Sequence, residues 1–409
     1  AAPVARVRDP RLDFFRGMAM FIILIAHTPG NWFTLWIPAR FGFSDATEMF
    51  VFCSGMASAL AFGAVFRDRG WVLGTARVGF RCWQVYWAHI GLFAAIAATM
   101  AALNATELFE RDYVGQLNLH PFFNNTLRDL PALMTLTYVP NYFDILPMYL
   151  VILAMMPIVV VLAQRSLALA AVFVLILWFL AQHGVHEALG LGTFDLHLPA
   201  EPWSDREWFF NPFGWQLVFF TGFALMAGWL PKPPVHPALI AIAIAIVLAS
   251  FLLSHISIRA INREWFGLAF DGNPVIRTRL EIREWITKTD FGLFRYLHCL
   301  ALAYLAWVLV GPNGRNLTAP SEDSLAGRAW HSLLAIILKV GQQSLAVFVM
   351  SMFLARLMGV AFDVIGRTAA TMVLVNFAGA AILVATAYSV GWFKSQPWRA
   401  RKDPAHAKG

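Results

Sequence analysis

Long apolar stretches alternate with short polar ones along almost the whole chain. Windows of about 17 to 25 apolar residues, the length at which a helix spans a bilayer, lie at 12–29, 46–66, 82–103, 145–163, 167–183, 213–230, 237–257, 293–310, 333–358 and 370–393. Helices are the only open-chain elements that satisfy their own backbone hydrogen bonds in lipid. The pattern therefore predicts an all-α, polytopic membrane bundle of about ten transmembrane helices.

Composition agrees with this pattern. Of the 409 residues, 59% are hydrophobic and only 13% are charged, which is more apolar surface than one soluble core can bury. No fixed-period repeat, low-complexity linker or large hydrophilic segment interrupts the chain. We expect a single transmembrane domain over 1–409, with short cytoplasmic tails at 1–11 and 394–409.

The distribution of lysine and arginine predicts the topology. An even number of helices places both termini on one side, and basic residues are more frequent in the segments on that side, which the positive-inside rule assigns to the cytoplasm. The outward loop 258–292 is an exception, since basic residues alternate there with acidic ones. Its six cations are Arg259, Arg263, Arg277, Arg279, Arg283 and Lys288. We expect this loop to be a folded, ion-paired element.

The remaining composition excludes other classes. The net charge of +7 reflects topology, and no basic block with interleaved aromatics indicates nucleic-acid binding. Cys53, Cys82 and Cys299 lie in predicted spans without metal-ligand spacing. We therefore expect no metal site, no tightly bound cofactor and no nucleic-acid partner.

Within the first apolar segment, the stretch FFRGMAMFIILIAH contains two ionisable side chains, Arg16 and His27. At 100° per residue their spacing of eleven brings both to one helix face, about 16 Å apart along the axis. Ionisable groups inside a membrane are costly and usually face an internal cavity where they have a function. The alternative for His27 is a histidine satisfied by a backbone carbonyl or interfacial water.

Two carboxylates, Asp45 and Glu48, lie at the outer start of the second helix and share a helical face. A carboxylate that binds one imidazole nitrogen strengthens the other nitrogen as a base, so either could orient His27. Asp45 is also a plausible helix N-cap, and Glu48 could simply stabilise the helix dipole.

The inward segment 67–81 is predicted to be a loop. Arg77 and Arg81 lie four residues apart and share a face if the third helix begins there. Arginine suits phosphate groups, although the positive-inside rule alone explains basic residues at this position.

The outward segments 104–144, 184–212 and 258–292 are the longest connections and contain many aromatic residues among amides. Sugars stack on aromatic rings, but tryptophan and tyrosine also anchor membrane interfaces. We expect a large polar substrate to bind on this outer face.

These features resemble a known family. The arginine and histidine of FFRGMAMFIILIAH resemble the signature of the membrane acyltransferase-3 superfamily, and FSDATEMFVFCSG resembles its second-helix motif, with Glu48 at the acidic position. RLDFFRG, NYFDILPMYLVIL, NPFGWQLVFFTGFAL, FRYLHCLALAYL and GQQSLAVF resemble successive blocks of OpgC-type osmoregulated periplasmic glucan succinyltransferases, across about residues 6–395.

The resemblance implies an enzyme of the bacterial inner membrane. It would take a succinyl group from cytoplasmic succinyl-CoA, as a co-substrate, and deliver it to a hydroxyl of a periplasmic glucan. Its partners would be these two substrates and membrane lipids. Arg16, Arg77 and Arg81 would bind the donor, and Asp144 and Tyr149, in a family-like block, are candidates for acceptor binding.

The catalytic residues would be His27, Glu48 and Asp45. His27 could act as a general base or be transiently acylated. The alternatives are an acetyltransferase acting on another envelope glycan, and a transporter or flippase for an acylated glycan.

Overall fold

The computed structural model describes residues 9–191, 195–268 and 273–399. These residues form helices, turns and one isolated antiparallel bridge between Pro199 and Glu207, so the predicted all-α class is confirmed. The chain divides into two compact units. The first contains Ala1–Thr34 and Pro312–Gly409, and the second contains Leu35–Gly311. The prediction of one domain over the whole chain stays a prediction.

The long helices of the described residues take their labels in chain order. They are α1 Pro10–His27, α2 Ala46–Ser58, α3 Ala64–Ala105, α4 Ile145–Arg165, α5 Leu167–Leu180, α6 Pro212–Ala227, α7 Pro237–Leu252, α8 Leu293–Val310, α9 Leu325–Gln342, α10 Ser344–Ile365 and α11 Ala369–Ser395. The outward segments add short α-helices at His120–Asn124, Thr126–Met134, His183–Ala188 and Pro274–Glu281, and Arg315–Thr318 precedes α9. A π-helical turn, Ala59–Gly63, joins α2 to α3.

Five helical segments of the described chain are long and apolar enough to cross a membrane. They are Ala46–Ala105, α4, α8, α10 and α11, and a sixth arises if α7 and the bent segment Ser257–Trp265 form one span. Helices α5 and α6 are apolar but shorter. Helix α1 carries Arg11, Asp13 and Arg16 within its 18 residues, which lowers its apolar character. The molecule is thus a multi-pass membrane protein.

Two predicted boundaries were wrong. Residues 67–81 belong to α3 and are not a loop; the backbone leaves helical geometry there only at Gly70, with φ 80° and ψ 176°. Glycine adopts this positive φ without the steric penalty of a Cβ. The window predicted as one span over 333–358 is divided at Gln343, whose φ of −106° and ψ of 29° separate α9 from α10.

In the first unit, α1 packs against α9 and α10, with α11 beside them. The backbones of α1 and α9 touch because glycines occupy the contact: a Cβ on Gly17 would collide with the carbonyl of Ile337, and one on Gly341 with the carbonyl of Asp13. Small residues allow such close approach in membrane helices. Just beyond the C-terminal end of α1, the side-chain amides of Asn31 and Asn376 pair: Asn31 Nδ2 donates to Asn376 Oδ1 at 2.8 Å, and Asn376 Nδ2 donates to Asn31 Oδ1 at 3.1 Å.

In the second unit, α2 packs along α6 by the same means. A Cβ on Gly55 would meet the carbonyl of Phe219, and one on Gly222 would meet the carbonyl of Phe52. Helix α3 packs on α4, α5 contacts both α4 and α6, and α7 packs on α8. These contacts fix the start of α2, where Asp45 and Glu48 lie.

We expect Gly341→Ala to destabilise the protein, because its Cβ would overlap the backbone of α1. Overpacking of this kind typically costs about 1–3 kcal/mol, and thermal unfolding in detergent should show a lower Tm. Gly91→Ala is the control, since an added Cβ there meets nothing within 4 Å. It should leave the Tm unchanged or raise it through helix propensity. Equal losses in both variants would contradict the close contact between α1 and α9.

Candidate functional site

Helix α1 carries two of the predicted site residues. It begins with Asp9 as N-cap, whose carboxylate accepts a hydrogen bond from the Arg11 backbone N–H, and it continues unbroken to His27. Arg16 and His27 therefore lie on one helix at the predicted separation. The Arg16 guanidinium donates a hydrogen bond to Ser344 Oγ at the start of α10. Arg16 thus sits against the break between α9 and α10.

The hydrogen bond of His27 fixes its tautomer. Its Nδ1 lies 2.9 Å from the backbone carbonyl oxygen of Ile23, one turn earlier in the same helix. A carbonyl oxygen can only accept, so Nδ1 is the protonated nitrogen. In the neutral ring Nε2 then carries the lone pair that can take a proton. The contact is the one expected for the backbone-carbonyl alternative, and the role of His27 in catalysis stays a prediction.

The start of α2 is held by a capping box. Asp45 is the N-cap, and its Oδ1 accepts from the Thr47 backbone N–H at 2.6 Å, while Glu48 Oε2 accepts from the Asp45 backbone N–H at 2.7 Å. Such reciprocal pairing satisfies the unpaired N–H groups of a helix start. The capping function considered for Asp45 is confirmed.

Each of these carboxylates also pairs with a cation. Lys288 Nζ lies 2.6 Å from Asp45 Oδ2, and Arg295 Nη1 lies 2.7 Å from Glu48 Oε1. Glu48 is 1% exposed. Arg295 Nε also donates to the carbonyl oxygen of Thr287 at 3.2 Å. The segment before α8 and the start of α8 are thereby fastened to α2.

The pKa of Asp45 reflects competing effects. Burial alone would raise it, but the charge and hydrogen bond of Lys288 outweigh burial and hold the pKa of Asp45 well below its ordinary value. Asp45 is therefore ionised at neutral pH and forms a true ion pair with Lys288.

A buried hydroxyl–imidazole pair adjoins this cluster. His298 Nδ1 accepts hydrogen bonds from the Ser44 backbone N–H at 3.1 Å and from Ser44 Oγ at 2.6 Å. Because the backbone N–H can only donate, Nδ1 has no proton and Nε2 carries it. Hydroxyl and imidazole in this contact are the components of nucleophile activation, and the same bonds connect α8 to the residues before α2.

Sequence reasoning missed the roles of Lys288, Arg295 and His298. The loop 258–292 has the expected internal ion pairs at Arg277–Glu281 and Arg283–Glu284, but Lys288 pairs outside it with Asp45. Arg295 lies inside an apolar span, and that position alone could have marked it as functional. His298 is an ionisable residue in the same span and carried the same signal.

The other predicted residues lie elsewhere in the second unit. Arg77 and Arg81 are both on α3, where Arg77 is exposed and Arg81 donates to Gln84 Oε1 at 3.1 Å. Tyr149, on α4, packs its ring 6.0 Å from that of Phe219. Their roles in binding donor and acceptor stay predictions.

Asp144 lies just before α4 and is buried. Its Oδ1 accepts a hydrogen bond from the Phe209 backbone N–H at 3.3 Å. Burial raises the pKa of Asp144 to about 6, although this hydrogen bond acts in the opposite direction. Its proposed part in acceptor binding also stays a prediction.

One group of side chains in the described part of the chain could hold a metal ion. Asp195, His197 and Glu207 each offer an atom within 4.8 Å of the others. His197 Nε2 and Glu207 Oε1 already lie 3.3 Å apart as an ion pair. Asp195 Oδ2 also lies 3.6 Å from His183 Nδ1.

A comparison with protein-family models matches the OpgC protein family over residues 8–395. The match covers nearly the whole chain. The chain belongs to the OpgC family. A comparison with curated proteins gave no match, and neither did a comparison with solved structures. The residues that carry α1, the capping box and the Lys288–Arg295 segment all lie within the OpgC match.

We expect Glu48→Gln to destabilise this OpgC family member. Removing one partner of a buried ion pair leaves the other charge uncompensated, which typically costs about 3–5 kcal/mol, so the Tm in detergent should fall by several degrees. Replacing both partners, with Glu48→Gln and Arg295→Met together, should recover part of the loss. The control is Glu281→Gln in the exposed Arg277–Glu281 pair, with an expected effect below about 1 kcal/mol. A similar loss in the control would contradict the assignment.

The stability of the protein should depend on the ionisation of Asp144. Its folded pKa of about 6 lies above the unfolded value near 3.8, so the folded state keeps the proton longer. The stability that Asp144 contributes is complete below the unfolded pKa and is lost as pH rises through about 6, by roughly 3 kcal/mol. The Tm of Asp144→Asn, relative to that of the wild type at the same pH, should therefore rise from pH 4 to pH 7. A constant difference over this range would contradict the buried carboxyl.

Proposed function

We propose that this protein is a membrane O-acyltransferase that moves a succinyl group from cytoplasmic succinyl-CoA to hydroxyl groups of a periplasmic glucan. The observation that carries the proposal is the pair of Arg16 and His27 on one unbroken helix, in a chain that belongs to the OpgC family. The pair supplies a cation and a base about 16 Å apart along the axis. An extended acyl-CoA needs such a path between its phosphates and its thioester.

The chemistry assigned to His27 is proton removal. As the glucan hydroxyl oxygen attacks the thioester carbonyl carbon, its proton passes to Nε2, the C–S bond breaks, and the CoA thiolate leaves and takes up the proton. A positioned base of this kind contributes about 10² to 10⁴ in rate. In a variant scheme Nε2 attacks the thioester carbonyl carbon and the C–S bond breaks to release the CoA thiolate. The glucan hydroxyl oxygen then attacks the acyl-imidazole carbonyl, the C–N bond breaks, and the CoA thiolate takes up the hydroxyl proton.

Arg16 has the position expected for binding the phosphates of the donor. It lies about three turns from the His27 end of α1, and its planar guanidinium suits phosphate oxygens. Arg77 and Arg81 are further candidates for the same role. Asp45 and Glu48 would support catalysis by holding the start of α2 rigid, and a direct role in orienting His27 remains part of the proposal.

The topology that accompanies this function has ten crossings with both termini in the cytoplasm. In this arrangement α2 and α3 form two crossings joined near Gly70. The membrane would be the bacterial inner membrane, with the aromatic outward segments facing the glucan.

We expect His27→Asn to abolish acyl transfer while the protein stays folded. The test supplies purified protein in detergent with radiolabelled succinyl-CoA, with acetyl-CoA as parallel donor, and follows the label into periplasmic glucan. His331→Asn is the matched control, because that histidine is on α9 in the same unit and its Nε2 lies 2.8 Å from the Pro320 carbonyl oxygen.

Several outcomes would overturn this proposal. Turnover by His27→Asn at the wild-type rate would exclude both the base and the nucleophile schemes. Faster transfer from acetyl-CoA would favour an acetyltransferase for another envelope glycan. Binding of donor or glycan by the wild type without transfer would favour a transporter or flippase.

A further inference from the structure

A second arginine, Arg356, lies inside the membrane-spanning helix α10 of the first unit. It is 8% exposed and is the thirteenth residue of this 22-residue helix, well away from either end. A charged group at such a position is costly and is usually retained for binding or transport. The acyltransfer chemistry proposed above does not use it.

The contacts between α1 and α10 define the depth of Arg356. At the N-terminal ends of the two helices, Arg16 of α1 donates a hydrogen bond to Ser344 of α10, and their residue numbers differ by 328. Further along, Thr28 Oγ1 lies 3.8 Å from Met358 Sδ, and a Cβ on Gly359 would meet the ring of Pro29. In each of these two contacts the residue numbers differ by 330. The two helices therefore run parallel with a nearly constant register.

This register places His27 level with Arg356. Residues 27 and 356 differ by 329 in residue number, which lies between the differences of 328 and 330 found for the contacts of α1 with α10. Neighbouring helices pack about 8–10 Å apart, so His27 and Arg356 occupy positions of similar depth on adjacent helices. Arg16 lies at the other end of the same path.

A dicarboxylic acyl group has a second charge that matches this arrangement. In a succinyl thioester the distal carboxylate carbon is about 4 Å from the thioester carbonyl carbon, by ordinary bond lengths. When His27 acts at the carbonyl, the carboxylate must find a cation at a similar depth. An arginine can bind it through two parallel hydrogen bonds.

We propose that Arg356 binds the distal carboxylate of the acyl donor and so selects a dicarboxylic acyl group over a neutral one. This inference rests on the proposed function. Arg367 is another cation near this end of α1, where it lies against Gly30. Its Nη2 donates to Asp363 Oδ1 at 2.5 Å, and that ion pair gives it a structural role beyond the end of α10.

The experiment compares succinyl-CoA with butyryl-CoA, which has the same four-carbon chain but ends in a methyl group. Transfer to glucan is measured as kcat/KM for wild type, Arg356→Met, Arg356→Lys and the matched control Arg367→Met. We expect Arg356→Met to lower the succinyl-to-butyryl ratio about 100-fold or more, because a polar site discriminates strongly against a missing partner. Arg356→Lys keeps the charge but not the fork and should retain an intermediate ratio, and Arg367→Met should keep the wild-type ratio.

The two proposals fail in different ways. A wild-type protein that transfers neither acyl group overturns the proposed function. A wild-type protein that prefers succinyl-CoA, with an unchanged ratio in Arg356→Met, overturns only the role of Arg356. Equal losses with both donors in Arg356→Met and Arg356→Lys also overturn it, since Arg356 would then act on atoms common to both donors. A collapsed ratio in Arg367→Met would transfer the role to Arg367.

Discussion

The cost of placing charge among apolar helices constrains every polar position in this protein. Within the second unit, Glu48 is almost completely buried and is compensated by Arg295 at 2.7 Å. Because α2 cannot begin in an apolar setting without satisfying its N–H groups, its capping box and its ion pairs have to form together. The structure of α2, the loop before α8 and the start of α8 follows from this single requirement.

Glycine supplies the second constraint, since it determines how closely the helices approach. In both units backbone carbonyls of one helix lie where a Cβ would be on the next, as at Gly341 in the first unit and Gly55 in the second. Without a hydrophobic force between helices in lipid, such close packing supplies much of their association. In the first unit the result is close packing of α1 against α9, and the unbroken helix keeps Arg16 and His27 at a fixed spacing.

Local periodicity predicted much of the helical framework. The span at 293–310 coincides with α8, and the Arg16–His27 spacing depends only on an unbroken helix, which apolar periodicity indicates well. The division at Gln343 and the helical state of 67–81 escaped prediction because hydropathy windows do not register a change of two dihedral angles. The partners of Asp45 and Glu48 also escaped it, since they lie 243 and 247 residues away and no local pattern connects positions so distant.

The tautomer of His27 determines how strong a base this residue would be in the proposed reaction. A carboxylate on Nδ1, as in a serine protease, stabilises the imidazolium with a full charge, whereas the Ile23 carbonyl offers only a dipole. Such a base is weaker, and it suits an acyl donor that is already activated. A thioester has a good leaving group, so the barrier that remains is largely one of positioning the hydroxyl and the carbonyl. The fixed helix face of α1, more than an unusually strong base, is therefore the feature through which this OpgC family member would act.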